Sequence, residues 1–306
     1  MPVPHASTGF GDLLDPRFQR IFHEQYEQLP DMLPMLYTMP PPNGRADMRW
    51  SQSGAFQDWG QFNSSVSYQS SAQGYDTIAT PLEFASGFQV ERKLVDDEQY
   101  NIIEQWPAGL ATAAQRTRQV HGARPLNNAF SVDTFFYVNS EAVAMCSDSH
   151  TTTNPNTSTA SGFDNLVTTA LSATSLTAAR IQMVGFLDDA GNRMMLSPDE
   201  LWLPPNLFDV AYEIVASMGK VDTADNNRNV HEGAYTIHEW NYMTDTNNWI
   251  MGDSALRKQM MFWIDRVAPE FAFAEDLDTI TGKWRGYGRW GNAHTDWRWS
   301  LGAQVS

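Results

Sequence analysis

Lysine is scarce in this chain of 306 residues: only Lys93, Lys220, Lys258 and Lys283 occur, and Lys and Arg together number 20 against 36 Asp and Glu. The formal net charge of -16 excludes a surface dominated by the positive charge that grips nucleic-acid phosphates, and leaves room only for a local basic stripe. Cysteine occurs once, at Cys146, so no intrachain disulfide and no cysteine-built zinc site can form, in keeping with a reducing compartment. No apolar run approaches the ~18 residues that span a bilayer, so no membrane partner is expected. Met1 to Asp12 has neither Lys nor Arg nor an apolar core, and no secretory signal is expected there. The phosphate loop, the dinucleotide Gly fingerprint, the G-x-S-x-G elbow and H-E-x-x-H are all missing, so no cofactor is expected.

What is present is apolar and aromatic. Hydrophobic residues make up 42% of the chain and aromatics 12%, including 11 Trp and 16 Phe, with only 18% charged. That composition excludes a disordered tail, and the length fits two domains, or one large one, at about 150 residues each. The spacing of Phe18, Ile21, Phe22, Tyr26 and Leu29 predicts a helix capped by Asp15, with Pro16 in its first turn and Pro30 as its stop. The stretch DMLPMLYTMPPPN (31–43) reads as an extended arm with exposed apolar side chains, including Leu33, Met35 and Leu36. Residues 48–75 are rich in Gln, Ser and Gly yet carry Trp50, Phe56, Trp59, Phe62 and Tyr68, which predicts a long hairpin-like loop. A solvated linker has no use for such rings.

Helical spacing of Ile103, Trp106, Leu110, Ala113, Thr117 and Val120 predicts a long helix over Glu91 to Ala123, kinked or restarted near Pro107 and stopped at Gly122. Further on, DTFFYVN (133–139) and EAVAMCS (141–147) read as strands, and 164–172 and 175–185 as helices. Glu200–Leu203 reads as a strand before a helix capped by Asn206, with Leu207, Val210, Ala211, Ile214 and Val215 facing a core. GAYTIHEWNY and NNWIMGD suggest a strand pair around Thr244 to Thr246, and 258–299 reads as more strands. The fold class is α+β.

Four groupings invite a chemical reading. Cys146 and His150 offer a thiol beside an imidazole, though their Ser/Thr surroundings fit a loop edge. Asp222, Asp225, Asn226, Asn227 and Asn229 form an oxygen-rich loop that lacks the Gly and terminal Glu of an EF-hand, so a surface loop is preferred to a metal site. Glu270, Glu275, Asp276 and Asp278, with many Trp residues, suggest a carbohydrate-active enzyme. Lys283, Trp284, Arg285, Tyr287, Arg289, Trp290, Trp297, Arg298 and Trp299 alternate cations and rings, which suits either nucleic-acid contact or a protein core and interface. Arg116, Arg118, His121 and Arg124 add positive charge late in the long helix.

Gly74 to Ile103, Leu126 to Phe130, Ser147 to His150, Leu203 to Leu207, Asn247 to Trp249 and Pro269 to Phe271 together resemble the major capsid proteins of tailed bacteriophages, in particular the branch of the Mu-like head subunit. The similarity runs from about Leu13 to Leu301. It implies the Hong Kong 97-type fold: 1–46 as N-arm, 47–90 as E-loop, and 91–130 as spine helix with the start of the P-domain. Residues 131–254 would be the A-domain, and 255–306 the second part of the P-domain with the C-terminus. It implies a non-enzymatic shell subunit that forms pentamers and hexamers around double-stranded DNA, assembled in the host cytoplasm and carried in the virion capsid. Portal, scaffold and cement proteins are the expected partners. Trp50, Phe56, Trp59, Phe62, Leu33, Met35 and Leu36 would contact neighbouring subunits, and Arg116, Arg118 and Arg124 would face the lumen. With no lysine between 47 and 90, the Lys–Asn crosslink of the fold's type member is not expected, and neither is a fused scaffolding domain. An encapsulin-like nanocompartment shares the fold and stands as the alternative shell.

Overall fold

The computed structural model describes residues 9–41, 44–66, 68–91, 93, 104–219, 228–276 and 281–306, and among these it contains six α-helices and eleven strands. In chain order they are α1 (Gly9–Gln28), α2 (Leu33–Leu36), β1 (Met48–Ser53), β2 (Gln73–Ala79), β3 (Leu82–Glu91), α3 (Gln105–Asn127), β4 (Tyr137–Asn139) and β5 (Leu166–Val167). There follow α4 (Ala173–Val184), β6 (Glu200–Leu203), α5 (Phe208–Ala216), β7 (Thr236–Glu239), β8 (Trp249–Gly252), α6 (Ser254–Met260), β9 (Met261–Asp276), β10 (Thr281–His294) and β11 (Ser300–Ala303). The strands make three sheets, ordered β1-β2-β4, β3-β10-β9 and β5-β11-β8-β6-β7.

The long sheet is built around β10, where the period of two sorts the cation and ring pattern onto opposite faces. Trp284 and Trp290, each 3% exposed, turn toward the helices. Trp284 stacks on Phe88 at 5.4 Å and meets Phe18 of α1 edge-on at 5.2 Å. Lys283, Arg285, Tyr287 and Arg289 occupy the other face, where Glu83 pairs across from Arg289 and Glu270 across from Tyr287. Lys283 is itself held by Asp276 at 2.6 Å. This face is mixed in charge and is not a phosphate track.

The expected helix over Glu91 to Ala123 is corrected at both ends. Glu91 closes β3, residues 94–103 lie outside the described residues, and α3 runs from Gln105 through Gly122 to Asn127. Pro107 falls in its first turn, where a missing N–H costs nothing. Gly122 is not a stop but a contact: a Cβ there would overlap Leu33 Cδ2 and lie 3.1 Å from the Trp240 ring. Pro125 sits in the last turn and cannot donate to the carbonyl of His121, four residues back. Asn292 of β10 takes over that carbonyl through Nδ2 at 2.8 Å.

The arm is also corrected. Pro34 opens the single turn α2, which turns Leu33 and Leu36 inward. Both are fully buried in the chain's own core with Tyr37, whose hydroxyl donates to the Gly122 carbonyl at 2.6 Å. Among the described residues of this stretch, only Met35 and Met39 remain large, apolar and exposed.

Other expectations shift in the same manner. Helix α1 begins at Gly9, ahead of Asp15, and passes through Pro16. The stretch 141–147 is a turn, because Ala142 adopts φ 56° and breaks an extended run. Residues 164–172 hold β5 and not a helix, since the Asn165 amide donates to the carbonyls of Met145 and Ser300 and draws the segment onto β11. A 3-10 turn, Pro205–Leu207, precedes α5, and Val210 points to solvent. Strands β7 and β8 do not pair with each other: β6, buried on both faces, lies between them.

The Pro125–Asn292 arrangement makes a prediction. Asn292→Ala leaves the His121 carbonyl without its side-chain donor and should cost about 1–3 kcal/mol in urea unfolding. Pro125→Ala restores a helical donor and should shrink that cost in the double variant. Equal costs in both backgrounds would show that Asn292 acts elsewhere.

Candidate assembly surfaces

Residues 54–72 form a loop between β1 and β2, and its base is closed by polar side chains. Ser71 Oγ donates to the Gly54 carbonyl at 2.6 Å, while the Gln69 side chain makes two bonds to the Gln57 backbone at 2.8 and 3.1 Å. Two bonds fix the loop to the 186–194 turn, from Gln57 Nε2 to the Ala190 carbonyl at 2.7 Å and from Asn192 Nδ2 to the Phe56 carbonyl at 3.2 Å. Beyond these, the rings stand in solvent. Phe56, Phe62, Tyr68 and Trp59 are 60%, 70%, 93% and 96% exposed. Trp50 differs from them: it stacks on Phe262 at 4.8 Å and belongs to the root of the loop. A monomer gains nothing from four solvated rings in one loop, whereas an interface gains its anchors.

Of the three arginines on α3, only Arg116 is exposed. Arg118 is 5% exposed and faces no surface: Asp265 clamps it bidentately at 2.6 and 2.9 Å, with the rings of Trp263 and Trp290 at 5.3 and 5.4 Å. Arg124 is half-buried, bonded to Asp133 at 2.9 Å and lying over Phe135 at 4.4 Å. Burial of Asp133 opposes its charge, but the bonds from Arg124, Asn128 and the Phe135 N–H hold its carboxyl below the usual range.

The remaining chemical candidates are occupied by structure. Burial pushes the Cys146 thiol up to about 12, and its sulfur meets Ser300 Oγ. His150 is held through both ring nitrogens, by Glu141 at 3.0 Å and Asn165 at 3.1 Å, and stacks on Trp297 at 4.2 Å. Glu270 and Asp276 lie six residues apart on β9, about 20 Å at strand rise, beyond the separation of a glycosidase pair. Asp278 and residues 220–227 lie outside the described residues, and Asn229 spends its amide on the Ile214 and Ser217 carbonyls. Eight of the eleven tryptophans are 3% exposed or less. Among the described residues no group of His, Cys, Asp or Glu is arranged to hold a metal, and no helix is long and apolar enough to cross a membrane.

Residues 74–301, well over half of the sequence, match the family model described as phage capsid protein. The chain belongs to the phage capsid protein family. Its fold is shared with the subunit of the mature capsid of bacteriophage PhiM1, at TM-score 0.55 and 9% identity over 87% of this chain and 83% of that one. The capsid of an empty GTA particle aligns at TM-score 0.57 and 12% identity, covering 91% of each chain. The capsid of cyanophage P-SCSP1u aligns at TM-score 0.52 and 9% identity, covering 89% and 86%. No curated protein matches the sequence. The fold of this capsid protein is therefore the Hong Kong 97 type.

Buried titratable groups link the subunit's stability to pH. Glu200 receives Arg257 Nε at 2.6 Å and Nη2 at 2.8 Å, and Arg257 also donates to the Leu36 carbonyl of the arm at 2.8 Å. Burial works against the Glu200 charge, yet His238 and Arg257 bring its carboxyl down to about 2. Burial lowers His294 to about 4, and burial with Arg124 lowers His121 to about 4. A histidine whose folded pKa lies below its unfolded 6.5 contributes stability that is full above pH 6.5 and is lost as pH falls toward 4. The Glu200 contribution is full above 4.5 and is lost from there toward 2. Urea midpoints should therefore fall from pH 6.5 downward, and His294→Phe, which keeps a ring beside Tyr137, should flatten that limb by one proton. A profile level from pH 7 to 4 would contradict the assignment.

Proposed function

We propose that this chain is the major capsid subunit of a tailed phage, assembling through pentamers and hexamers into the icosahedral shell around a double-stranded DNA genome. The observation that carries the reading is the E-loop, whose rings are exposed on a chain that otherwise buries its tryptophans, within a sequence matched by the phage capsid family model. Phe56, Trp59 and Phe62 are the interface anchors, and Met35 is the arm residue left free to join them. Leu33 and Leu36 act inside the subunit, and Trp50 orients the loop root. The N-arm covers 1–46, the E-loop 47–90, and the spine helix with the start of the P-domain 91–130. Residues 131–254 form the A-domain, joined in its sheet by β11, and the rest of 255–306 returns to the P-domain.

Portal, scaffold and cement proteins are its partners, and assembly takes place in the host cytoplasm. Contact with packaged DNA is non-specific. Arg116 is the spine-helix cation available to the lumen, because Arg118 and Arg124 are neutralised within the subunit. The shell holds by noncovalent contacts, since the E-loop contains no lysine.

Velocity sedimentation of the purified chain, with negative-stain microscopy of the fastest fraction, tests the reading. Closed shells, or discrete pentamers and hexamers, are expected, and a strictly monomeric or dimeric species at high concentration would overturn it. Trp59→Ser should leave monomer unfolding within about 0.5 kcal/mol of wild type and still reduce assembly. Boiled particles should run as one monomer band on denaturing gels; a ladder would contradict noncovalent closure.

A further inference from the structure

The hydrogen bonds around the buried His150 define its charge. Its Nε2 lies 3.1 Å from Asn165 Oδ1, and its Nδ1 lies 3.0 Å from Glu141 Oε1. The Asn165 amide has one orientation only: Nδ2 donates to the Met145 and Ser300 carbonyls, and Oδ1 accepts the Ser147 N–H. Glu141 Oε1 likewise accepts the Thr151 N–H at 2.9 Å. Both ring nitrogens therefore face acceptors, whereas a neutral imidazole has a single N–H to give.

Without a second proton, the Nδ1 lone pair would meet a carboxylate oxygen at contact distance, where neither side chain is more than 7% exposed. Moving that proton onto Glu141 would give up the attraction between a cationic ring and the Trp297 face, on which His150 stacks at 4.2 Å and 10°. The other ionisable groups on the segments packed here do not compete. His294, at the end of β10, is held neutral by burial and by the charge of His150. Arg298, also over the Trp297 ring at 4.9 Å, is engaged by Asp296 and Asp189. The Cys146 thiol is buried and protonated, and Asp148 is exposed.

His150 belongs to a stretch that braces the stem of the 54–72 loop. Thr151 Oγ1 meets the Tyr75 hydroxyl at 2.6 Å, and Thr153 Oγ1 donates to the Gln73 carbonyl at 2.7 Å, both on β2. Ser140, next to Glu141, accepts the Asp76 N–H at Oγ at 2.8 Å and returns its own N–H to the Asp76 carbonyl at 2.9 Å. We propose that His150 is kept as an imidazolium in the folded subunit and that its second proton is a latch, clamping residues 147–153 to Glu141 and, through them, the stem of the ring-bearing loop. Loss of that proton at alkaline pH releases the stem. Such a proton stabilises fully below the value of about 6.5 for an unfolded histidine and its contribution is lost as pH rises, the reverse of the acid limb set by His294 and His121.

The latch is a property of one chain and goes beyond the shell reading, so free subunits test it. In long-range 1H–15N spectra of the full chain labelled at histidine, the ring in contact with Trp297 should carry protons on both nitrogens at about pH 7. A single protonated nitrogen would overturn the proposal. Hydrogen exchange of peptides covering β2 and 147–153, corrected for the intrinsic pH dependence of exchange, should speed up about tenfold between about pH 7 and about 9.5. Glu141→Gln keeps the acceptors and removes the charge; its stem should be loose already at about pH 7, with no further rise. A wild-type stem whose protection is level across that range, or a Glu141→Gln stem that behaves like wild type, would overturn the latch.

Discussion

The subunit turns on one buried charge. Arg118 projects from the middle of α3 into the space between that helix and the long ribbon, where water cannot solvate it. An isolated guanidinium in that position would cost several kcal/mol, and the fold answers with a bidentate carboxylate, Asp265, from β9 and the faces of two indoles, Trp263 and Trp290. Planar, forked and permanently charged, arginine fixes distance and angle together in a way lysine does not. The rotation of the helix against the sheet follows from this contact, and Phe18 and Phe22 of α1 then pack along both.

Other joints use the same logic of a polar group with one geometric solution. Asn292 closes the carbonyl that Pro125 leaves open at the end of α3. Arg257 pairs with Glu200 of the five-stranded sheet and donates to the Leu36 carbonyl, so one buried guanidinium ties that sheet to the 31–41 stretch. Aromatic side chains are divided between two uses. Trp202, Trp249, Trp263 and Trp299 fill the body, whereas Phe56, Trp59, Phe62 and Tyr68 have no core of their own. The body buries its rings within one chain, and the loop leaves its rings in solvent.

Much of this was legible in the residues. Gln, Ser and Gly interleaved with rings marked the loop between β1 and β2, helical spacing marked α3, and the separated motifs from Gly74 to Phe271 carried the capsid fold. The misreadings share a cause: a local pattern was answered by a distant partner. Gly122 resembles a helix stop until Leu33 and Trp240 are seen filling the space above it. Leu33 and Leu36 look like the exposed side of an arm in the local sequence, yet Leu33 packs at Gly122, 89 positions away. The order β5-β11-β8-β6-β7 brings together strands from positions 166 to 303, which no window of sequence reports. Arg118 read as surface charge for the same reason, since Asp265 lies 147 residues further on.

The central claim is that the helix-and-ribbon body is finished within one chain while the E-loop is finished only by neighbours. Hydrogen–deuterium exchange on free subunits and on assembled particles separates the two directly. Peptides from α3 and β10 should be strongly protected in both states, and peptides within 54–72 should exchange freely in the subunit and become protected in the particle. Equal protection of the loop in both states, or a ribbon that gains its protection only on assembly, would contradict the account.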